Sequence, residues 1–234
     1  MTLSVFPLPG IPEVAAGDDL PALLLAALGR AGLTPQPGDV LVVTHKIVSK
    51  AEGAVVALTG DEERAYRELV LDQAVEVLRR RGDLVIARTK HGFICANAGV
   101  DRSNAAPGTA VLLPQDPDRS AHGIRMALRA ASGVDLAVII SDTFGRPWRR
   151  GLTDVAIGVS GMLPILDLKG TFDAAGRELH VTEVAVVDEI AAAADLVMGK
   201  AAAVPAALVR GVEIPKGEGR AADMVRPDAE DMFR

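Results

Sequence analysis

A mixed α/β fold of the α+β kind is what this sequence predicts, and three observations carry the expectation. Short apolar runs rich in β-branched residues, such as Val40–Thr44 and residues 136–140, have the length and composition of buried strands. Segments with helical start signals lie between them: Asp18-Asp19 followed by Pro21, and Asp116-Pro117. Turns such as Pro37-Gly38-Asp39 punctuate the alternation.

In chain order, residues 3–6 read as a short strand ended by the Pro7 to Pro12 loop. A helix runs from Asp18-Asp19 to about Gly29 with leucines on its buried side, and Val40–Thr44 follows as a strand. Thr59-Gly60-Asp61-Glu62 has capping-box spacing. Leu69, Val70, Ala74, Val77 and Leu78 then recur at helical period, so one helix is expected to reach Arg79-Arg80-Arg81. Three arginines suit a helix C-terminus through the macrodipole, and suit an anion site less well. Residues 84–88 and 110–113 read as strands, Asp116-Pro117 opens a helix to about Ser132, and the strand 136–140 follows. The second half alternates more loosely, with β-like stretches at 155–159 and 184–187, a helix at 188–198 and a last strand at 206–209. From Lys216 the chain is polar and reads as a surface-draped tail. No internal repeat or long linker interrupts it, and strand order is not readable.

The composition narrows the function. In 234 residues, 49% are hydrophobic but only 3% aromatic, so the core must be aliphatic. A net charge of -6 argues against a generic nucleic-acid binder. One cysteine, Cys95, excludes an internal disulfide, fits a reducing cytoplasm and reads as a buried apolar residue. Neither a signal peptide nor a bilayer-spanning run is visible, so no membrane role is expected.

Four constellations could carry chemistry. Thr44-His45-Lys46-Ile47-Val48-Ser49-Lys50 follows a strand and offers two lysines and two hydroxyls to a polyphosphate; an exposed basic turn would look the same. Residues 96–104 contain Gly99, which allows close backbone approach, with Asp101 and Asn104 as oxygen donors; these are also ordinary turn residues. Ser141-Asp142-Thr143, followed by Arg146, Arg149 and Arg150, sits at the expected carboxyl end of a strand, where open α/β sheets bind ligands. A carboxylate beside a hydroxyl suits Mg²⁺ or Mn²⁺, and arginines suit phosphate or carboxylate groups. Asp101 and Asp142, with Thr143, could bridge such a metal to nucleotide phosphates. Finally, Gly199-Lys200 lacks the upstream glycine and following hydroxyl of a P-loop, and Gly217-Glu218-Gly219 lacks the strand of a dinucleotide fingerprint.

Together the segments GDVLVVTHKIVSKAEG, ICANAGVDRSN, ISDTFGRPWRRGLTDVAIGVSG and DEIAAAADLVMGK, with the terminal KGEGRAADMVRPDAEDMFR, resemble the coenzyme F420-0:L-glutamate ligase family. The resemblance implies a fold specific to that family, neither Rossmann, P-loop nor ATP-grasp. It implies one ligase domain over residues 1–234, with room for two subdomains and no nitroreductase-like extension. It also implies a cytoplasmic, homodimeric, GTP-dependent amide ligase that adds L-glutamate to the deazaflavin phosphodiester F420-0 and extends a γ-linked tail through an acyl phosphate. Mg²⁺ or Mn²⁺, with K⁺, would assist. Carried over by position, Asp101, Asp142 and Thr143 match metal contacts. Ile11, Pro12, Glu13, Val14, His45, Lys50, Asn104, Met198, Gly199 and Lys200 match the nucleotide's surroundings. Asp142, Arg146 and Arg149 are the expected catalytic groups. Two positions depart from the pattern: His45 stands where a small hydroxyl is expected, and Lys200 where an amide is expected. The rival readings are a metal-dependent phosphohydrolase and a non-catalytic nucleotide- or deazaflavin-binding protein.

Overall fold

The computed structural model describes residues 2–232. Its first half runs β1 (Ser4–Pro7), α1 (Leu20–Arg30), β2 (Val40–Thr44), α2 (His45–Ala51), β3 (Val55–Ala57), α3 (Glu62–Gln73), β4 (Ala74–Arg81), β5 (Leu84–Thr89), β6 (Ile94–Ala96) and β7 (Thr109–Val111). There follow α4 (Pro117–Ser132), β8 (Ala137–Arg146), β9 (Arg149–Ser160), β10 (Leu166–Asp167), β11 (Glu183–Val184), α5 (Val186–Met198) and β12 (Ala206–Arg210). This is the mixed α/β class expected from the sequence.

The main sheet has the order β1-β12-β2-β8-β9, and only β2 and β8 run parallel. Residues 40–43, 138–140 and 206–209 are fully enclosed. A strand covered on both faces has no polar side to present, which is why these segments read as continuous apolar runs. Helix α1 packs on α4, and α5 lies across strands from both halves of the sheet. Asp19 and Asp116 cap α1 and α4 by accepting from the backbone N–H groups of Ala22 (3.0 Å) and Arg119 (3.0 Å). Gly133, at φ +73°, closes α4 in the left-handed conformation. A second, smaller core of Leu58, Val70, Val85, Ala87, Ala98, Val100 and Ala110 lies beneath α3 and the β4-β5-β6 sheet. No helix among the described residues is long and apolar enough to cross a membrane.

Several segments differ from the sequence reading. The expected long helix stops at Gln73, and residues 74–81, arginines included, form β4. Arg81 pairs with Leu84 across a two-residue Gly82-Asp83 turn, so the hairpin overrides the helical period. Asp61, not Thr59, caps α3, accepting from the Arg64 N–H at 3.1 Å. Residues 45–51 are helix α2 and not a loop. Of the expected strand 184–187, only Val184 lies in β11, and α5 begins at Val186. Strand β8 continues six residues beyond Ile140 and turns back as β9, so residues 141–150 form a hairpin instead of a post-strand loop. Short strands β3, β6 and β10 carried no clear signal.

The tail is anchored rather than draped. Ala221 is buried, and its N–H donates to Asp118 Oδ1 (2.9 Å), which also accepts from Val159 N–H (2.8 Å). Arg125 bridges Asp135 (2.7 Å) and Glu218 (2.6 Å), pinning the tail to α4. The Arg125 hydrogen bonds hold both carboxyl groups below their ordinary values. Their contribution to stability is therefore complete above the ordinary carboxylate range and is lost as pH falls through the lowered folded-state values. Arg125→Gln should lower the thermal midpoint at pH 7, and the gap to wild type should narrow steadily on acidification below pH 4. A gap independent of pH would contradict this role.

Candidate active site

The carboxyl ends of the two parallel strands meet at a pocket of about 350 Å³. Thr44 ends β2 there and pairs with Ser141, where a register shift in the β8–β9 ladder re-aims the following side chains. The first turns of α2 bring in His45, Lys46 and Lys50; the 11–14 loop and residues 198–205 close the sides.

Lys50, almost wholly enclosed, donates to Glu13 Oε1 (2.5 Å) and to the Asn104 carbonyl (2.7 Å), joining three distant segments. Asn104 adopts φ +55°, which asparagine tolerates better than most residues. His45 is buried; its Nδ1 is 3.4 Å from Ser49 Oγ, and its Nε2 lies 3.3 Å from Asp142 Oδ1 without a hydrogen bond. The Asp142 carboxylate accepts from the Thr143 N–H at 2.7 Å. On the other face of the hairpin, Asp154 accepts from the hydroxyls of Ser141 (2.8 Å) and Thr143 (2.6 Å). Burial pushes the Asp154 carboxyl above its ordinary value; the two hydroxyls oppose the rise, and the charges of Asp195 and Asp142 add to it.

This donor set suits a hard divalent ion. Asp142 and Thr143 offer oxygen ligands, Asp154 and Asp195 add negative charge, and the buried His45 Nε2 faces the same carboxylate. Among the described residues no three His, Cys, Asp or Glu side chains converge as a finished cage. Mg²⁺ sites commonly use one or two protein carboxylates and complete their shell with water and phosphate.

The structure gathers His45, Lys50, Asn104, Asp142, Thr143, Met198, Gly199, Lys200 and all of Ile11, Pro12, Glu13 and Val14 around this one pocket. Asp101 stands one ion pair behind it, its carboxylate 2.8 Å from Lys46 Nζ. Burial works to raise the Asp101 carboxyl, but its hydrogen bonds to Lys46 and Ser103 outweigh that and hold it low. Arg146 and Arg149 do not line the pocket; both are exposed at the far end of the hairpin. Gly99 serves packing rather than close ligand approach, because a Cβ there would sit 2.6 Å from Leu113 Cγ. Asp154 and Asp195 escaped the sequence reading. Asp154 emerges only from the hairpin register, which pairs it with Thr143, and Asp195 from helical spacing, three residues before Met198. Cys95 is buried, as expected, and burial pushes its thiol up to about 12.

Known proteins extend the same pattern. Residues 10–211 match the family model described as F420-0:Gamma-glutamyl ligase. The chain is 43% identical to the Coenzyme F420:L-glutamate ligase of Methanothermobacter thermautotrophicus, with all of both chains covered. It is also 43% identical to that of Methanopyrus kandleri, covering 100% of this chain and 98% of the relative. Against the enzyme of Methanocaldococcus jannaschii the identity is 41%, over 85% of this chain and 86% of that one. With the family's region spanning every segment that builds the pocket, this chain belongs to the F420-0:gamma-glutamyl ligase family and is a ligase of that type.

Proposed function

We propose that the protein adds L-glutamate to coenzyme F420-0 at the expense of GTP, and extends the product through γ-linkages. The observation that carries this reading is the convergence of Lys50, Asn104, the 11–14 loop and residues 198–200 around Asp142 and Thr143. A carboxylate resists attack by an amine, so it must first be activated. The acceptor's carboxylate oxygen attacks the γ-phosphorus and GDP departs, leaving an acyl phosphate. The glutamate amine then attacks the carbonyl carbon, phosphate leaves, and the amine proton passes to solvent. Phosphoryl transfer of this kind depends on positioning and charge stabilisation more than on covalent help from the protein.

Asp142 and Thr143 would hold Mg²⁺ or Mn²⁺, which when bound neutralises phosphate charge; Asp101 would contribute once its carboxylate leaves Lys46. Lys46 and Lys50 place two ammonium groups beside the polyphosphate. Lys200 brings a cation where the family pattern has an amide, and it supplies charge in place of metal ligation. K⁺ is proposed as an assisting ion. Arg146 and Arg149 reach the reacting groups only if the hairpin end closes over the substrates or meets a second subunit. A homodimer is part of this proposal, supported by the exposed Val75, Val77 and Leu84 on the β4–β5 hairpin and Leu152 on β9. Light scattering after gel filtration reads its mass. The setting proposed is the cytoplasm.

Mass spectrometry of F420-0 incubated with protein, GTP, Mn²⁺ and L-glutamate tests the whole reading. Glutamyl additions that require GTP are expected. Phosphate release that needs neither acceptor nor glutamate would replace the ligase with a phosphohydrolase. Lys50→Ala should raise the KM for GTP roughly ten- to a hundredfold, the order for one charged hydrogen bond. An unchanged KM would remove Lys50 from the nucleotide site.

A further inference from the structure

Beside the first pocket lies a second, of about 490 Å³, that the nucleotide and metal chemistry does not use. It falls within the usual size range of small-molecule sites. Its walls come from four separate parts of the chain: β4 to β6, the β8–β9 hairpin, the start of α5, and the tail at residues 221–231. The chain has five phenylalanines, one tryptophan and one tyrosine, yet three of these seven rings, Phe93, Phe144 and Trp148, line this space. Phe93, which also stacks on His91 at 5.7 Å, meets Phe144 edge to face at 6.4 Å, and both rings line the pocket. Aromatic walls of this kind favour a flat π-system, through stacking and edge contacts.

The position matters as much as the lining. Strand side chains alternate, so Asp142 and Phe144 project from the same face of β8, about 7 Å apart along the strand. From Asp142 to the end of β8 at Arg146 is about 13 Å. A ligand lying along the hairpin can therefore have its ring system between Phe93 and Trp148 and its other end at Asp142. The charged groups are mixed but favour an anion. Arg88 is engaged with Asp228 (2.6 Å), and Asp188 accepts from the Ala156 N–H (2.9 Å). Arg226 makes no ion pair among the described residues.

We propose that this second pocket holds the planar aromatic body of the acceptor, with an anionic linker against Arg226 and the reacting carboxylate delivered to Asp142. The inference rests on the ligase reading and adds to it where the acceptor binds. It also explains why an aromatic-poor chain collects its rings at one site and places its single tryptophan, 87% exposed, at the rim.

Trp148 provides the probe. F420-0, added without GTP, metal or glutamate, should quench or shift the emission of the wild-type protein saturably, since all tryptophan signal comes from this rim. Trp148→Ala and Ile94→Asp, both at exposed positions, should each raise the KM for F420-0 at least tenfold and leave the KM for GTP within twofold. Thermal melts and gel filtration accompany both variants. Catalytic turnover with no emission change and no KM change would overturn the pocket assignment while leaving the ligase intact. A KM rise that appears only with altered oligomeric mass would overturn it as well, because the surface then joins subunits. Absence of any glutamyl transfer by the wild type would instead sink the ligase reading beneath it.

Discussion

Asp142→Ala should abolish glutamate ligation without unfolding the protein. Its carboxylate sits where β8 leaves the buried sheet, within 3.3 Å of His45 Nε2 and bonded to the Thr143 N–H. No core side chain depends on it, so alanine leaves no large cavity. The loss removes a carboxylate from the pocket where the proposed phosphate and metal chemistry would need it. A fall of at least about 10²- to 10³-fold in turnover is expected, the order seen when one stabilising group is removed. Mn²⁺ binding, measured by calorimetry with the nucleotide present, should weaken in parallel, while the thermal midpoint stays within a few degrees of wild type. Near-normal ligation at saturating Mn²⁺ would remove Asp142 from the chemistry.

Arg210→Ala should cause the largest loss of stability from a single surface-reaching residue. Asp39 is 1% exposed and receives two hydrogen bonds from Arg210, from Nε and Nη2, each at 2.7 Å. It also accepts from the Gln36 N–H (2.8 Å), and its carbonyl accepts from the Ala137 N–H. The pair therefore ties the residue just before β2 to the last of β12, beside the start of β8. Removing the arginine strands a buried carboxylate, which costs about 3–5 kcal/mol in fully buried pairs. Because Arg210 is partly exposed and water can reach the gap, about 3 kcal/mol is the appropriate end of that range. At 2–4 °C per kcal/mol for a chain of this size, the midpoint should drop by roughly 6–12 °C. Neither residue lines the candidate active-site pocket, so ligation at 25 °C should persist. A drop under about 2 °C, smaller than one kcal/mol would give, would mean the pair is dispensable.

The two predictions differ in how they could be foreseen. Asp142 stands out in sequence because a carboxylate and hydroxyl follow an apolar run. Asp39 looks like any turn residue after Pro37-Gly38, and its arginine partner is 171 residues away. The same contrast runs through the site. Lys50, Asn104 and residues 11–14 could be carried over from family segments, and all reach the pocket. Asp154 could not, because its place depends on the hairpin register that sets it opposite Thr143. Arg146 and Arg149 stand close to Asp142 in sequence alone. Strand geometry carries them away at about 3.3 Å per residue instead of folding them back.

By itself the sequence determined the mixed α/β class, the buried strands β2, β8 and β12, helices α1 and α4 with their aspartate caps, and many of the residues that line the candidate active-site pocket. These follow from local causes: apolar runs long enough to bury, caps within three residues of the N–H groups they satisfy, and motifs contained in single segments. Tertiary structure alone decided that 74–81 is a strand, that residues 141–150 are a hairpin, that Asp101 is held by Lys46, and that three of the few aromatic rings share one pocket. Each of those outcomes is settled by a partner distant in sequence, and period or composition along one segment carries no record of which partner the chain will meet.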